Sequence, residues 1–161
     1  MKFLALLLVI CTTSHAALLD KVSGVINDKV FTLSEINRVK NTINIRKEIA
    51  PFIYSKESYS KQEILELLQN LFLVRDKLSE LGYVISDDAV ESRIIETEKG
   101  LGLDRNQLLN FLESKGISFN EYFEIIREAM EYNIFNGRVI APLVTITDQE
   151  LKNLYYKLTK N

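Results

Sequence analysis

This sequence predicts a mainly α-helical domain of about five to six helices packed orthogonally, with a small β-hairpin and a short strand near its two ends. Three observations carry that expectation. Helix-start signatures recur at Thr32, Ser60, Ser86, Asp104, Ser118 and Thr147, apolar residues follow at helical spacing, and a glycine or proline closes most of the runs. With 161 residues, 47% of them hydrophobic, there is material for one ordinary core, and one domain is the expectation at this length.

The chain begins Met1-Lys2, continues through an apolar run from Phe3 to Ile10, and then reads Cys11-Thr12-Thr13-Ser14-His15-Ala16-Ala17. A basic start, a greasy centre and small residues after it are the layout of a secretory signal, so residues 1–16 are expected to be removed after Ala16, leaving 17–161 as the domain. The apolar run falls well short of the roughly 20 residues that span a bilayer, which disfavours a membrane anchor. Lipidation of Cys11 is the other alternative, and Ile10 stands where such sites carry a small residue.

Lys21 to Ile26 alternates loosely, Asn27-Asp28-Lys29 supplies turn chemistry, and Val30-Phe31 follows, which together predict a hairpin. Thr32-Leu33-Ser34-Glu35 is a capping box, opening a helix through Ile36, Val39 and Ile43 toward Ile49 and closing before Pro51. Ser60-Lys61-Gln62-Glu63 opens a second, from about Lys61 to Leu81, with too many apolar positions for a single stripe, so it is expected to be the most buried. Two shorter helices follow, Asp87 to about Lys99 and Arg105 to about Lys115. After Ser118 a long amphipathic helix places Phe119, Tyr122, Phe123, Ile126, Met130 and Ile134 on one side, with Glu121, Glu124, Arg127, Glu128 and Glu131 mostly on the other. Predicted stops are Gly82, Gly100, Gly116 and Pro142. Val144-Thr145-Ile146 reads as a strand that would join the hairpin, which needs covering because a lone hairpin is marginal. Asp148 to Lys160 is a last helix with Leu151, Leu154, Tyr155 and Leu158 at helical spacing.

The chain holds one cysteine and one histidine, Cys11 and His15, both in the predicted leader. Its mature form would therefore lack the atoms for disulfides, thiolate or Ser-His catalysis, and zinc sites built on His or Cys, so no catalytic residue, metal or cofactor is expected. Net charge is −2 with both signs interspersed, which argues against nucleic acid and anionic membrane as partners. Asp87-Asp88 and Glu96/Glu98 read as helix-dipole and solvated carboxylates. Gly100-Leu101-Gly102 lacks the third glycine and lysine of a phosphate loop.

The segments Asp20 to Glu35, Leu81 to Val90, Gly102 to Leu108, Gly116 to Tyr122, Ile126 to Met130 and Val144 to Leu151 resemble, in content and order, the N-terminal domain of SurA-type periplasmic chaperones. The resemblance covers nearly all of the chain after the leader. It implies a peptide-binding domain of the trigger-factor/SurA type, a periplasmic location, no stable membrane insertion, and unfolded outer-membrane protein segments or aromatic-rich peptides as partners. Parvulin-type prolyl isomerase modules follow this region in the family; none is expected here, and their histidines have no counterpart after the leader, so binding and not isomerase activity is implied. A helix that completes the family's core domain would have its substitute in Asp148 to Lys160, in the same chain or in a homodimer.

Large apolar side chains on loops and exposed helix faces often mark binding surfaces, which singles out Phe52, Tyr54 and Tyr59 after the first helix and Tyr155 and Tyr156 near the C-terminus. Tyr122, Phe123 and Met130, with Tyr132 and Phe135 on the same helix, are candidates to line a client groove, core packing being the alternative for each. The rival function is a dedicated interaction subunit that binds one partner or dimerises.

Overall fold

The structure is a computed structural model that describes residues 20–145 and 147–159; the predicted leader lies outside the described residues. Strands β1 (Val22–Ile26) and β2 (Lys29–Thr32) form the antiparallel hairpin, with Asn27 taking a positive φ of 52° at the turn and a bulge between Val22 and Gly24. Among the described residues seven α-helices follow: α1 (Leu33–Asn41), α2 (Ile43–Ile49), α3 (Lys61–Glu80), α4 (Asp87–Leu101), α5 (Arg105–Ser114), α6 (Phe119–Phe135) and α7 (Asp148–Thr159). A mainly α domain with a small hairpin is therefore what the chain forms.

The caps explain where helices begin. The hydroxyls of Thr32, Ser60, Ser86 and Ser118 and the carboxylate of Asp104 each accept from the backbone N–H three residues on. Reciprocal boxes close at Ser60/Glu63 and Asp104/Gln107. At Ser118 the box stays half-made because Glu121 is engaged by Arg46 and Thr42 instead.

Three departures have physical causes. The helix expected from Thr32 to Ile49 breaks at Thr42, whose hydroxyl donates back to the Arg38 carbonyl at 2.9 Å and accepts from Arg46 Nε at 3.0 Å. That local bonding competes with the helical ladder and turns six helices into seven. Helix α4 runs through Gly100; the left-handed residue that ends it is Gly102 (φ 68°), with Leu103 N–H bonded to the Glu98 carbonyl at 2.9 Å. Glu98 is buried and paired with Arg105, not solvated.

The expected third strand is absent among the described residues. Residues 141–143 form a 3₁₀ turn that Val144 N–H closes onto the Ala141 carbonyl, Val144 and Thr145 belong to no strand, and Ile146 lies outside the described set. Helix α3 covers the hairpin in its place: Phe31 packs edge-on to Phe72 at 6.3 Å, and a Cβ added at Gly24 would meet Leu65 Cδ1 at 3.1 Å. Gly24→Ala should therefore lift β1 from α3 and cost about 1 kcal/mol, read as a lower urea midpoint with an unchanged slope.

Helix α6 is the hub, packing on α2, α3, α4 and α5, while α3 carries the hairpin and α1. Ile64, Val90, Ile94, Leu112 and Ile125 are essentially inaccessible where these helices meet. Beyond Phe135 the α6 rod continues as a π turn (Asn136–Ile140) into the 3₁₀ turn, where Gly137 weakens the helix and Pro142 removes a backbone donor. Among the described residues no helix is long and apolar enough to cross a membrane.

Candidate binding groove

Helices α2, α4, α5 and α6 converge without filling the space between them. The result is an open, mainly apolar groove of about 590 Å³. Its floor is core: Ile45, Leu108, Leu112, Tyr122 and Ile126 are buried. Its walls are not: Phe52 is 47% exposed, Leu101 66% and Phe111 42%. Single exposed apolar residues are ordinary, but three around one concavity make a surface that water wets poorly. Met130 supplies an adaptable thioether wall, and the charged lining consists of Glu48 from α2 and Arg93 from α4.

Phe52 also stacks on Tyr132, with ring centroids 5.8 Å apart. Tyr132 lines a second apolar cavity of about 410 Å³ with Ile53, Leu67, Leu71, Leu73 and Phe135, so the Phe52–Tyr132 pair stands between two concave surfaces.

A buried polar network fixes α2 and the loop after it against α6. Arg46 is 4% exposed; its guanidinium donates to Tyr54 Oη at 2.9 Å, to Thr42 and to the Glu121 carboxylate. Tyr54, fully buried, donates its own hydroxyl to Glu128 Oε2 at 2.9 Å. Burial works against the Arg46 charge, but Tyr54, Glu128 and Glu121 outweigh it and hold the guanidinium above its usual pKa. Burial raises the Glu128 carboxyl above the usual range against the pull of Arg46, and does the same at Glu131 against Arg75, which donates to both its oxygens at 2.8 and 2.9 Å. Every buried side-chain polar atom among the described residues has a partner.

These carboxyls give a pH dependence of definite sign. A group whose folded pKa is raised contributes stability that is complete below its unfolded value, 4.5, and is lost as pH rises through the folded value, so Glu128 and Glu131 favour mild acid. Glu63 has the opposite sense: Lys56 and the Ser60 cap lower it to about 2, so its contribution is present above 4.5 and lost as pH falls toward about 2. Urea midpoints should rise from neutral pH toward about 5 and fall below 4.5, and Glu128→Gln, which keeps an acceptor for Tyr54, should flatten the rise.

Of the residues singled out in the sequence, the groove brings together Phe52, Tyr122 and Met130. Tyr54 and Tyr59 are buried, the first in the Arg46 network and the second with its hydroxyl accepting from Lys56 N–H at 3.1 Å; both build the loop and neither offers a surface. Phe123 is half-buried outside the groove, beneath the Arg127 guanidinium at 5.3 Å. Tyr155 and Tyr156 are exposed on α7 and touch each other, centroids 6.1 Å apart. The groove walls Leu101 and Phe111 were not singled out by the sequence: Leu101 falls at helical spacing from Val90 and Ile94, and Phe111 from Leu108, so periodicity places both with the buried stripes of their helices.

Three comparisons of sequence bear on this geometry. The chain is 26% identical over 147 residues to the chaperone SurA of Pseudoalteromonas translucida, 24% over 147 to that of Shigella dysenteriae, and 25% over 144 to that of Legionella pneumophila strain Paris. Each match takes in about nine-tenths of this chain. The chain is similar to SurA chaperones along nearly its whole length. It spans about a third of the length of these relatives, as an N-terminal-domain-like unit would. No protein-family model matches it. Among the described residues there is no cluster of three or more His, Cys, Asp or Glu that could hold a metal ion.

Proposed function

We propose that this chain is a non-enzymatic, ATP-independent chaperone that holds unfolded outer-membrane proteins in the periplasm, with residues 1–16 as its export signal. The observation that carries the reading is the groove: a concave surface with Phe52, Leu101 and Phe111 standing out of it, an adaptable Met130 wall, and charge only at Glu48 and Arg93. At about 590 Å³ it takes a few apolar or aromatic side chains of an extended segment, with Thr97 and Asn133 beside Glu48 and Arg93 as its polar lining. Similarity to SurA chaperones supports the same reading.

No step of bond chemistry is assigned. The buried charged side chains Arg46, Glu98 and Glu131 are each paired, with Glu121, Arg105 and Arg75 in turn, which suits a scaffold. Aggregation of an unfolded outer-membrane β-barrel protein, followed by light scattering without ATP, tests the reading. Suppression at near-stoichiometric ratio is expected; aggregation at the rate seen with an unrelated helical protein would refute it.

A second reading, a dedicated interaction subunit, draws on helix α7, whose apolar stripe is exposed along its full length. Under that reading a partner is retained stoichiometrically by the chain and unfolded clients are not.

A further inference from the structure

Phe52 stands at the crest of a turn whose two ends, Ala50 and Tyr54, are closed to water. The Ala50 carbonyl accepts from Ile53 N–H and Tyr54 N–H, each at 3.0 Å, and Pro51 fixes its own φ within the same turn. Phe52 therefore has little freedom that Tyr54 does not share: where the Tyr54 ring goes, the groove wall follows.

Two clips hold this turn to α6, one helical turn apart. The Tyr54 hydroxyl donates to Glu128 Oε2 at 2.9 Å, and the Phe52 ring leans on Tyr132, four residues on. The first is the deep one, and the second lies where Phe52 meets solvent.

Glu128 faces two ways. On one side is Tyr54; on the other Glu128 lines an open cavity of about 630 Å³ between β2, α1, α3 and α6. Arg46 of α2 and Arg75 of α3 act on it through space, their own bonds going to Thr42, Tyr54 and Glu121 and to Glu124 and Glu131. Glu121 and Glu124 of α6, Lys29 of β2, and Glu35 and Arg38 of α1 line the same cavity.

We propose that Glu128 is a positioning residue for the groove: through Tyr54 it sets where the Phe52 wall stands, and the gain or loss of its proton, exchanged through the cavity, sets how firmly. Its effect on clients rests on the reading of the groove as their binding site. A protonated carboxyl keeps a carbonyl oxygen to accept from Tyr54, so the clip survives protonation. Loss of the proton leaves a carboxylate that burial disfavours, against the pull of Arg46 and Arg75. An arrangement in which Glu128 turns to water in the cavity and lets Tyr54 go then gains on the clipped one. Mild acid holds the wall in place, and rising pH releases it.

The chain contains no tryptophan, so Phe52→Trp places a single fluorescent reporter on the wall. Acrylamide quenching of that reporter in the full chain, with no client present and with the fold checked by circular dichroism, tests the proposal. Quenching should rise roughly twofold from about pH 5 to about pH 7.5. Adding Glu128→Gln, which keeps an acceptor and cannot ionise, should leave it low and flat; adding Tyr54→Phe, which removes the donor, should leave it high and flat. Adding Glu131→Gln, which removes the carboxyl paired with Arg75 and leaves the loop alone, should keep the rise. His15 is common to every variant, so its titration cancels in the comparison. A flat profile in the reporter alone, a rise that survives Glu128→Gln, or one abolished equally by Glu131→Gln would overturn the proposal, and these hold even where Tyr54→Phe fails to fold. Binding is read apart from this: affinity for an uncharged aromatic-rich peptide should be roughly threefold higher at about pH 5 than at about pH 7.5 in the wild type and equal at both in Glu128→Gln. A wall that moves while affinity does not would count against the groove as the client site and for Glu128 as the residue that positions it.

Discussion

Arg46→Ala should destabilise the domain by about 3–5 kcal/mol, the scale of removing one partner from a buried ion pair, and at 37 °C this is enough to unfold a large fraction of a chain of ordinary stability. The side chains of Arg46 and Glu121 are 4% and 8% exposed, so the substitution strands a carboxylate where water does not reach. It also removes the donor that holds Tyr54 Oη and the cation that lies 5.5 Å from the Tyr54 ring centroid. Arg46→Lys should rescue little, because a single ammonium cannot reach Thr42, Tyr54 and Glu121 together as the fork does. Replacing the partners as well, in Arg46→Met/Glu121→Gln, should recover much of the loss, since the cost lies in the unpaired charge. Chemical denaturation of the three variants measures all of this; a loss below about 1 kcal/mol for Arg46→Ala would mean that water enters the network.

Phe111→Asp should leave the fold nearly untouched and lower affinity for an aromatic-rich peptide at least tenfold, about 1.4 kcal/mol. Phe111 is 42% exposed, so its removal forfeits little core, and surface changes of this kind stay within about 0.5 kcal/mol. In the groove the same change replaces an apolar wall by a solvated carboxylate that any entering side chain must desolvate. Fluorescence titration of the peptide against wild type and variant, with urea midpoints alongside, separates the two effects. An affinity unchanged at unchanged stability would place client contact elsewhere.

The order of helices was legible because it is written in local chemistry. Ser60, Asp104 and Ser118 each cap a helix, and Gly82 and Gly116 adopt the left-handed φ of 79° and 71° expected of helix ends. Features that depend on distant partners were not legible. At the Thr42 break the local bonds to Arg38 and Arg46 are joined by Glu121, 79 residues beyond, and the half-made cap at Ser118 is that engagement seen from α6. Glu128 and Glu131 fell on the polar side of α6 by periodicity, yet that side meets the arginines of α2 and α3 instead of solvent. Gly100 and Gly102 are two residues apart, and only the backbone bond from Leu103 to Glu98 decides which one ends α4.

The groove was half legible. Tyr122 and Met130 announce a face of α6, but a stripe at helical spacing does not reveal that α4 and α5 leave part of it uncovered. Of the three loop aromatics, Tyr54 and Tyr59 turn inward because their hydroxyls find partners there, whereas Phe52 has only Tyr132 to lean on and stays half exposed.

The most direct measurement of the central claim is site-specific photo-crosslinking of an unfolded outer-membrane protein to the full chain. A photoreactive side chain at Leu101, on the groove wall, should capture the client, and one at the exposed Lys77, on α3 outside the groove, should not. Equal capture from both positions, or capture from Lys77 alone, would contradict the account.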